Sequence, residues 1–149
     1  MSCKNNIQYS NHSMAATKLL SNRQSILMVD DERDILVTIK LLLQNCGFSS
    51  DTFIDPYLAL EHFKKHSQEY SLVISDIRMP VMTGFEFIQN IRSIDPDIKI
   101  LVITASENVI VMYSDSRTGL PLRDIIDGFI QKPISAEDLC KIIEEHFNK

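Results

Sequence analysis

The chain has 149 residues, 44% of them hydrophobic and 23% charged, the size and composition of one globular domain with a core of its own. Its net charge of -5 at pH 7 and pI of about 5.3 argue against a nucleic-acid-binding surface as its main business.

Residues 1–24 are polar and lack sustained periodicity, so they read as a flexible N-terminal extension, with a short helical stretch near Met14–Leu20. The pattern changes at Ser25. "SILMV" (25–29) is an apolar run that ends in Asp30-Asp31. Leu36, Ile39, Leu43 and Cys46 then fall at helical spacing, and Gly47 stops that helix. "SSDTF" (49–53) is a weaker strand. Asp55-Pro56 has the form of an N-cap with proline at the first helical position, opening a helix that runs to about His66. "SLVIS" (71–75) is the third strand and leads into Asp76. A helix follows from Gly84 to about Ser93, with Phe85, Ile88 and Arg92 on one face and Phe87 and Ile91 beside it. "IKILVIT" (98–104) and "GFIQ" (128–131) are the fourth and fifth strands. Ser135, with Asp138 three residues on, starts a last helix whose inner stripe is Leu139, Ile142, Ile143 and His146.

Five alternating strand–helix units predict right-handed crossovers and an α/β fold, a doubly wound, five-stranded parallel sheet with helices on both faces. The continuously apolar first, third and fourth strands fit a sheet covered on both sides. The chain ends soon after the fifth helix, so the expected organisation is the N-terminal extension (1–24) and one folded domain (25–149), with no second domain. No apolar run reaches transmembrane length, and no apolar stretch follows Lys4 to make a secretory signal, so no membrane insertion and a cytoplasmic location are expected. Cys3, Cys46 and Cys140 are odd in number and lack CxxC spacing. They suggest a reducing compartment, with Cys46 and Cys140 filling core space at helix ends. His62 and His66 lie one turn apart without an acidic partner at metalloprotease spacing, and read as part of a solvated face.

In such sheets ligands bind at the carboxyl ends of the strands, where the strand order reverses. With the flavodoxin-like order 2-1-3-4-5, Asp30 and Asp31, Asp76, Thr104 and Lys132 converge on one rim. Each like-charge pair at about 4 Å and an effective dielectric near 20 costs roughly 4 kcal/mol. One lysine is too little to offset three carboxylates. An all-oxygen donor set with no Cys or His beside it suits Mg²⁺. A partly caged metal beside an ammonium and a hydroxyl is a phosphoryl-binding arrangement. Neither G-x-x-x-x-G-K-[ST] nor G-x-G-x-x-G occurs, so no nucleotide signature is present. A carboxylate is then itself the candidate nucleophile, and Asp76, alone on the central strand, is the one.

Asp30-Asp31, "SDIRMPVMTG" (75–84), Thr104-Ala105-Ser106 and Lys132-Pro133, in this order, resemble the receiver domain of two-component response regulators over about residues 25–148. The resemblance implies a stand-alone, chemotaxis-type receiver without an output domain. Asp76 would be the phosphoacceptor, charged by a sensor histidine kinase or a phosphotransfer protein. Asp30, Asp31, Asp76 and the backbone carbonyl of Arg78 would hold Mg²⁺. Lys132 would pair with the phosphoryl oxygens, Thr104 would hydrogen-bond them, and Phe129 occupies the aromatic switch position. Pro133 is the cis-peptide candidate, and Arg78 and Ser106 are the positions that tune phosphoryl lifetime. The product would be a 4-aspartylphosphate that signals to a downstream protein by contact, with no direct nucleic-acid binding. Slow autodephosphorylation is expected, and not turnover as an enzyme.

The sequence departs from the family in one region. The stretch between Thr104 and Lys132 is longer than usual, its part "MYSDSRTGLPLRD" (112–124) contains Gly119 and Pro121, and Ile125-Ile126 stands where Gly-Ala is usual before "DGF". One continuous fourth helix is therefore not expected. Two other readings compete. A Mg²⁺ phosphohydrolase of the haloacid-dehalogenase type would carry a second Asp two positions after the nucleophile, where this chain has Arg78. A receiver-like interaction module that is never phosphorylated would have no need of the full set of acid, hydroxyl and lysine.

Overall fold

The computed structural model describes residues 25–105, 108, 119 and 121–147. The expected N-terminal extension, Ser106 and most of the lengthened stretch after Thr104 lie outside the described residues. The elements in chain order are β1 (Ser25–Val29), α1 (Arg33–Asn45), β2 (Ser49–Phe53), α2 (Pro56–His66), a 3-10 turn (Ser67–Glu69), β3 (Tyr70–Asp76), α3 (Gly84–Ile94), β4 (Lys99–Thr104), the one-turn α4 (Leu122–Ile125), β5 (Gly128–Gln131) and α5 (Ala136–Phe147). The strands form one sheet in the order β2-β1-β3-β4-β5, and every pairing is parallel.

The alternation of side chains along the strands divides the core into two layers. Leu27, Val29, Val73, Ile100 and Val102 face α2 and α3, where Ala59, Leu60, Phe63, Phe87, Ile88 and Ile91 cover them. Ile26, Met28, Leu72, Ile74, Leu101, Ile103 and Ile130 face α1 and α5, under Leu36, Ile39, Leu43, Leu139 and Ile143. No described helix is long and apolar enough to cross a membrane.

Helix ends follow local chemistry. Asp55 accepts a hydrogen bond from the Tyr57 N–H at 2.8 Å, with Pro56 at the first helical position. The Ser135 Oγ accepts from the Asp138 N–H at 3.1 Å. Thr83 caps α3 through the Glu86 N–H, a cap that the glycine after it hid from the sequence reading. Gly47 follows α1 at φ 88, the left-handed conformation that glycine adopts without a Cβ penalty.

Two expectations are corrected. Cys46 and Cys140 are joined by a disulfide with Cα atoms 5.9 Å apart and are not free thiols, although Cys46 does pack against the core. α1 and α5 pack side by side, which brings together cysteines that no local spacing relates. His62 and His66 are half-buried and the His66 side chain stays 41% exposed, so this face is only partly solvated. Their rings stack at 4.4 Å, and His62 also meets Phe53 and Tyr70.

Periodicity places Arg92 on one face of α3 with Phe85 and Ile88, yet its guanidinium works as a clamp. Nε donates to the Ile125 carbonyl at 2.9 Å, Nη1 to the carbonyls of Pro96 and Ile98, and Nη2 to Asp127 Oδ2 at 3.0 Å. Asp127 Oδ2 also accepts the Ile100 N–H at 2.8 Å. One side chain thereby ties α3 to the starts of β4 and β5. Arg92→Ala leaves those carbonyls and a half-buried carboxylate with fewer donors. It is expected to lower stability by about 2–3 kcal/mol, read as a lower urea midpoint at unchanged slope.

Candidate functional site

The acidic, hydroxyl and ammonium residues of the site stand at or just past the carboxyl ends of strands. β1 ends at Val29, so Asp30 and Asp31 emerge next. Asp76 is the last residue of β3 and pairs in register with Ile103 of β4. Thr104 closes β4, and its carbonyl accepts the Lys132 N–H at 2.9 Å just past β5. The sheet order puts β3 between β1 and β4, so Asp76 lies centrally between the acidic pair and Thr104.

The carboxylates of Asp30, Asp31 and Asp76 each offer an oxygen, and these oxygens lie within 4.8 Å of one another. Asp30 is fully buried, Asp76 is 6% exposed, and Asp31 is exposed. Asp30 Oδ1 accepts the Glu32 N–H at 2.8 Å, while its buried Oδ2 has no hydrogen-bond partner among the described residues. Asp76 Oδ1 accepts the Ile77 N–H at 2.8 Å. The Lys132 ammonium reaches 3.8 Å from Asp30 Oδ2 and 4.0 Å from Asp76 Oδ2. These are ion-pair distances too long for hydrogen bonds.

Burial pushes the Asp30 carboxyl up to about 6, helped by the charges of Asp76 and Asp31 and opposed by the Glu32 N–H and Lys132. Burial also raises the Asp76 carboxyl, against the pull of Lys132 and the N–H groups of Ile77 and Arg78. One lysine therefore does not neutralise the cluster. A buried carboxylate oxygen that has no hydrogen bond among the described residues, beside two further carboxylates, fits a hard divalent cation with oxygen ligands.

An open cleft of about 300 Å³ lies over this cluster, lined by Asp31, Asp76, Arg78, Thr104 and Lys132 among others. The Arg78 side chain is exposed at its edge. Thr104 is 2% exposed and lies on the same side of β4 as Val102, which pairs with Phe129. Phe129 is half-buried against the layer under α2 and α3. The Lys132–Pro133 peptide bond is cis.

The loop between Asp76 and α3 is held close. The Gly84 N–H donates to the Ile77 carbonyl at 2.9 Å. A Cβ at Gly84 would lie 2.7 Å from the Ile77 Cα and nearer still to the Asp76 carbonyl oxygen. The start of α3 thus packs directly on the backbone that carries Asp76. Val81, 85% exposed, takes φ 73, a left-handed conformation that costs a β-branched residue of order 1–2 kcal/mol. The tightness of the loop is met at an exposed valine.

Comparison with known proteins agrees with this geometry. The response regulator receiver domain family matches residues 26–144. The chain is 32% identical over 114 residues to the transcriptional regulatory protein TctD of Salmonella typhimurium, covering 76% of this chain and 47% of that protein. It is 30% identical over 126 residues to the C4-dicarboxylate transport transcriptional regulatory protein DctD of Rhizobium meliloti, covering 82% of this chain and 25% of that one. The chain spans less than half the length of these curated relatives. Among solved structures, a response regulator receiver domain protein of Clostridium thermocellum superposes with a TM-score of 0.71 at 27% identity, over 83% of this chain and 94% of that one. The chemotaxis protein CheY4 of Vibrio cholerae does so with a TM-score of 0.68 at 28% identity, over 83% and 98%. A doubly wound sheet in the order 2-1-3-4-5, an acidic cluster at its carboxyl rim and a family match over most of its length make the chain a member of the response regulator receiver domain family, the phosphoacceptor switches of two-component signalling.

Proposed function

We infer that the chain is a signalling switch that takes a phosphoryl group onto Asp76 from a phosphohistidine on a sensor histidine kinase or a phosphotransfer protein. The observation that carries this reading is the convergence of three carboxylates and Lys132 at one cleft, with Asp76 at its centre. Asp30, Asp31, Asp76 and the backbone carbonyl of Arg78 are the groups that would hold Mg²⁺. The ion, when bound, offsets the carboxylate charge and the charge on the phosphoryl oxygens.

The chain's own residues divide the remaining work. Asp76 Oδ1 is engaged by the Ile77 N–H, so Oδ2, which faces Lys132, is the oxygen offered to phosphorus. The new P–O bond forms as the P–N bond to the donor imidazole breaks, and the imidazole nitrogen keeps the bonding pair. Lys132 pairs with the phosphoryl oxygens, and the Thr104 hydroxyl hydrogen-bonds one of them. Aspartyl phosphate brings nearly two negative charges and three acceptor oxygens. Bonds made only to that group supply the differential interaction that a population shift needs. Moving a switch from 1:99 to 99:1 takes about 5.5 kcal/mol, within reach of a few charge-assisted hydrogen bonds at roughly 1.5–3 kcal/mol each. Phe129, on the side of the sheet that Thr104 shares, is the ring that would follow Thr104. Signalling then runs by protein contact to a downstream target in the cytoplasm, from the folded domain of residues 25–149. Arg78, at the cleft's edge, and Ser106 are the residues that would set the lifetime of the phosphoryl group.

Intact mass after incubation with Mg²⁺ and acetyl phosphate tests this. One acid-labile phosphoryl adduct is expected. No adduct with small donors or with a phosphorylated histidine kinase would sink the reading, and rapid multiple turnover of phosphate esters would make the chain a phosphohydrolase. Lys132→Met removes the one cation recorded beside the buried carboxylates among the described residues. It is expected to slow adduct formation by on the order of 10²-fold. Because Lys132 lowers both carboxyls, the pH profile of adduct formation in that variant moves to higher pH.

A further inference from the structure

Cys46 ends α1, directly before the turn at Gly47. Cys140 lies in the second turn of α5. Their bond joins positions 94 residues apart, with Cα atoms 5.9 Å apart, inside the range that a disulfide spans. Both cysteines are half-buried. Cys46 packs at the edge of the layer that holds Leu43, Leu139 and Ile143. A small thiol can reach such a pair, and the helices around it fix the geometry for closure. The two joined helices also begin beside the acidic cleft. α1 starts two residues after Asp31, and α5 four residues after Lys132. The bond therefore links the backbone supports of the acidic pair and of the lysine.

We propose that Cys46 and Cys140 are a redox-operated staple between α1 and α5, closed and opened by thiol–disulfide exchange with low-molecular-weight thiols of the glutathione class. One cysteine thiolate attacks a sulfur of the small disulfide, and the first reduced small thiol leaves with the bonding pair. The second cysteine thiolate attacks the protein-side sulfur of this mixed disulfide and expels the second small thiol. Two protein thiols lose two electrons, the small disulfide gains them, and the two cysteine protons end on the two released thiols. The chain then carries two inputs on one fold, a thiol-pool input at the helix pair and the cleft at the strand ends. Closing a loop of this length constrains the unfolded chain far more than the native one. The oxidised form is thus the more stable form.

The test uses the full chain carrying Cys3→Ser, so that two thiols remain, equilibrated in buffers of varied reduced to oxidised glutathione. Intact mass after alkylation is expected to show the internally bonded form, lighter by two hydrogens and unalkylated, in oxidising buffers. Both cysteines are expected to be alkylated in reducing ones, with full reversal between the two. The melting temperature is expected to drop by roughly 10 °C on reduction. Cys140→Ser and Cys46→Ser are expected to melt near the reduced value in every buffer. Only mixed disulfides at all ratios, or no melting difference between the two forms, would overturn the staple. A bond that excess reduced glutathione leaves closed in the folded protein would overturn its redox operation.

Discussion

Asp76→Asn is expected to abolish the phosphoryl adduct altogether while leaving the fold intact. The side chain changes by one group and keeps its shape. Its amide oxygen still accepts the Ile77 N–H that Asp76 Oδ1 takes at 2.8 Å. What disappears is the anionic oxygen facing Lys132, and an amide offers no comparable nucleophile to phosphorus. Stability moves the other way. Burial already raises the Asp76 carboxyl, and the nearby Asp31 charge adds to that, so neutralising the group relieves a cost. Metal-free Asp76→Asn should melt at or above the wild-type temperature at pH 7.5. Intact mass and a thermal melt on the same sample check both halves. An adduct of undiminished yield on the variant would move the acceptor elsewhere, whatever the melt shows.

The parts of the fold that are legible in the sequence are those decided locally. Val73-Ile74 and Leu101-Val102-Ile103 are apolar without a break because helices cover both sheet faces. Asp55-Pro56 and Ser135 mark helix starts because their side chains and φ preferences act within one turn. The positions of the site residues follow from the same logic, since a polar residue at the end of an apolar strand lies at the rim by construction. The hidden parts rest on contacts between distant segments. Arg92 looks like one more residue on an amphipathic helix, yet it serves carbonyls up to 33 residues away. Cys46 and Cys140 carry no spacing signal, because helix packing sets their approach. His62 is drawn inward by Phe53 of β2 and Tyr70 of β3, and His66 stacks on His62. Val81 opposes its own propensity, and no pattern announces a valine at φ 73.

Asp30→Asn is expected to stabilise the metal-free protein and to remove its response to Mg²⁺. The Asp30 carboxyl has no exposed surface and sits at about 6 against an ordinary value of 3.8. Between those two pH values the native state holds a proton that the unfolded chain has released. The stability tied to that proton is fully present below about pH 4 and is lost as pH rises through 6. At pH 7.5 the whole deficit is felt. Two pKa units correspond to about 3 kcal/mol, and repacking and water entry reduce the observable part to roughly 2. Asparagine keeps the bond from the Glu32 N–H and carries no charge to desolvate. The variant should therefore exceed wild type by about 2 kcal/mol at pH 7.5 and converge with it near pH 4. Mg²⁺ acts in the opposite sense on wild type, because it binds the ionised native cluster. At a hundred times its dissociation constant it adds about 2.7 kcal/mol, and it should add almost nothing to a variant that has lost a buried ligand. Urea melts at pH 4 and 7.5, each with and without Mg²⁺, separate the two effects. If Asp30→Asn destabilised the metal-free protein at pH 7.5, the buried carboxylate would be held by something other than a charge-starved cluster awaiting a cation.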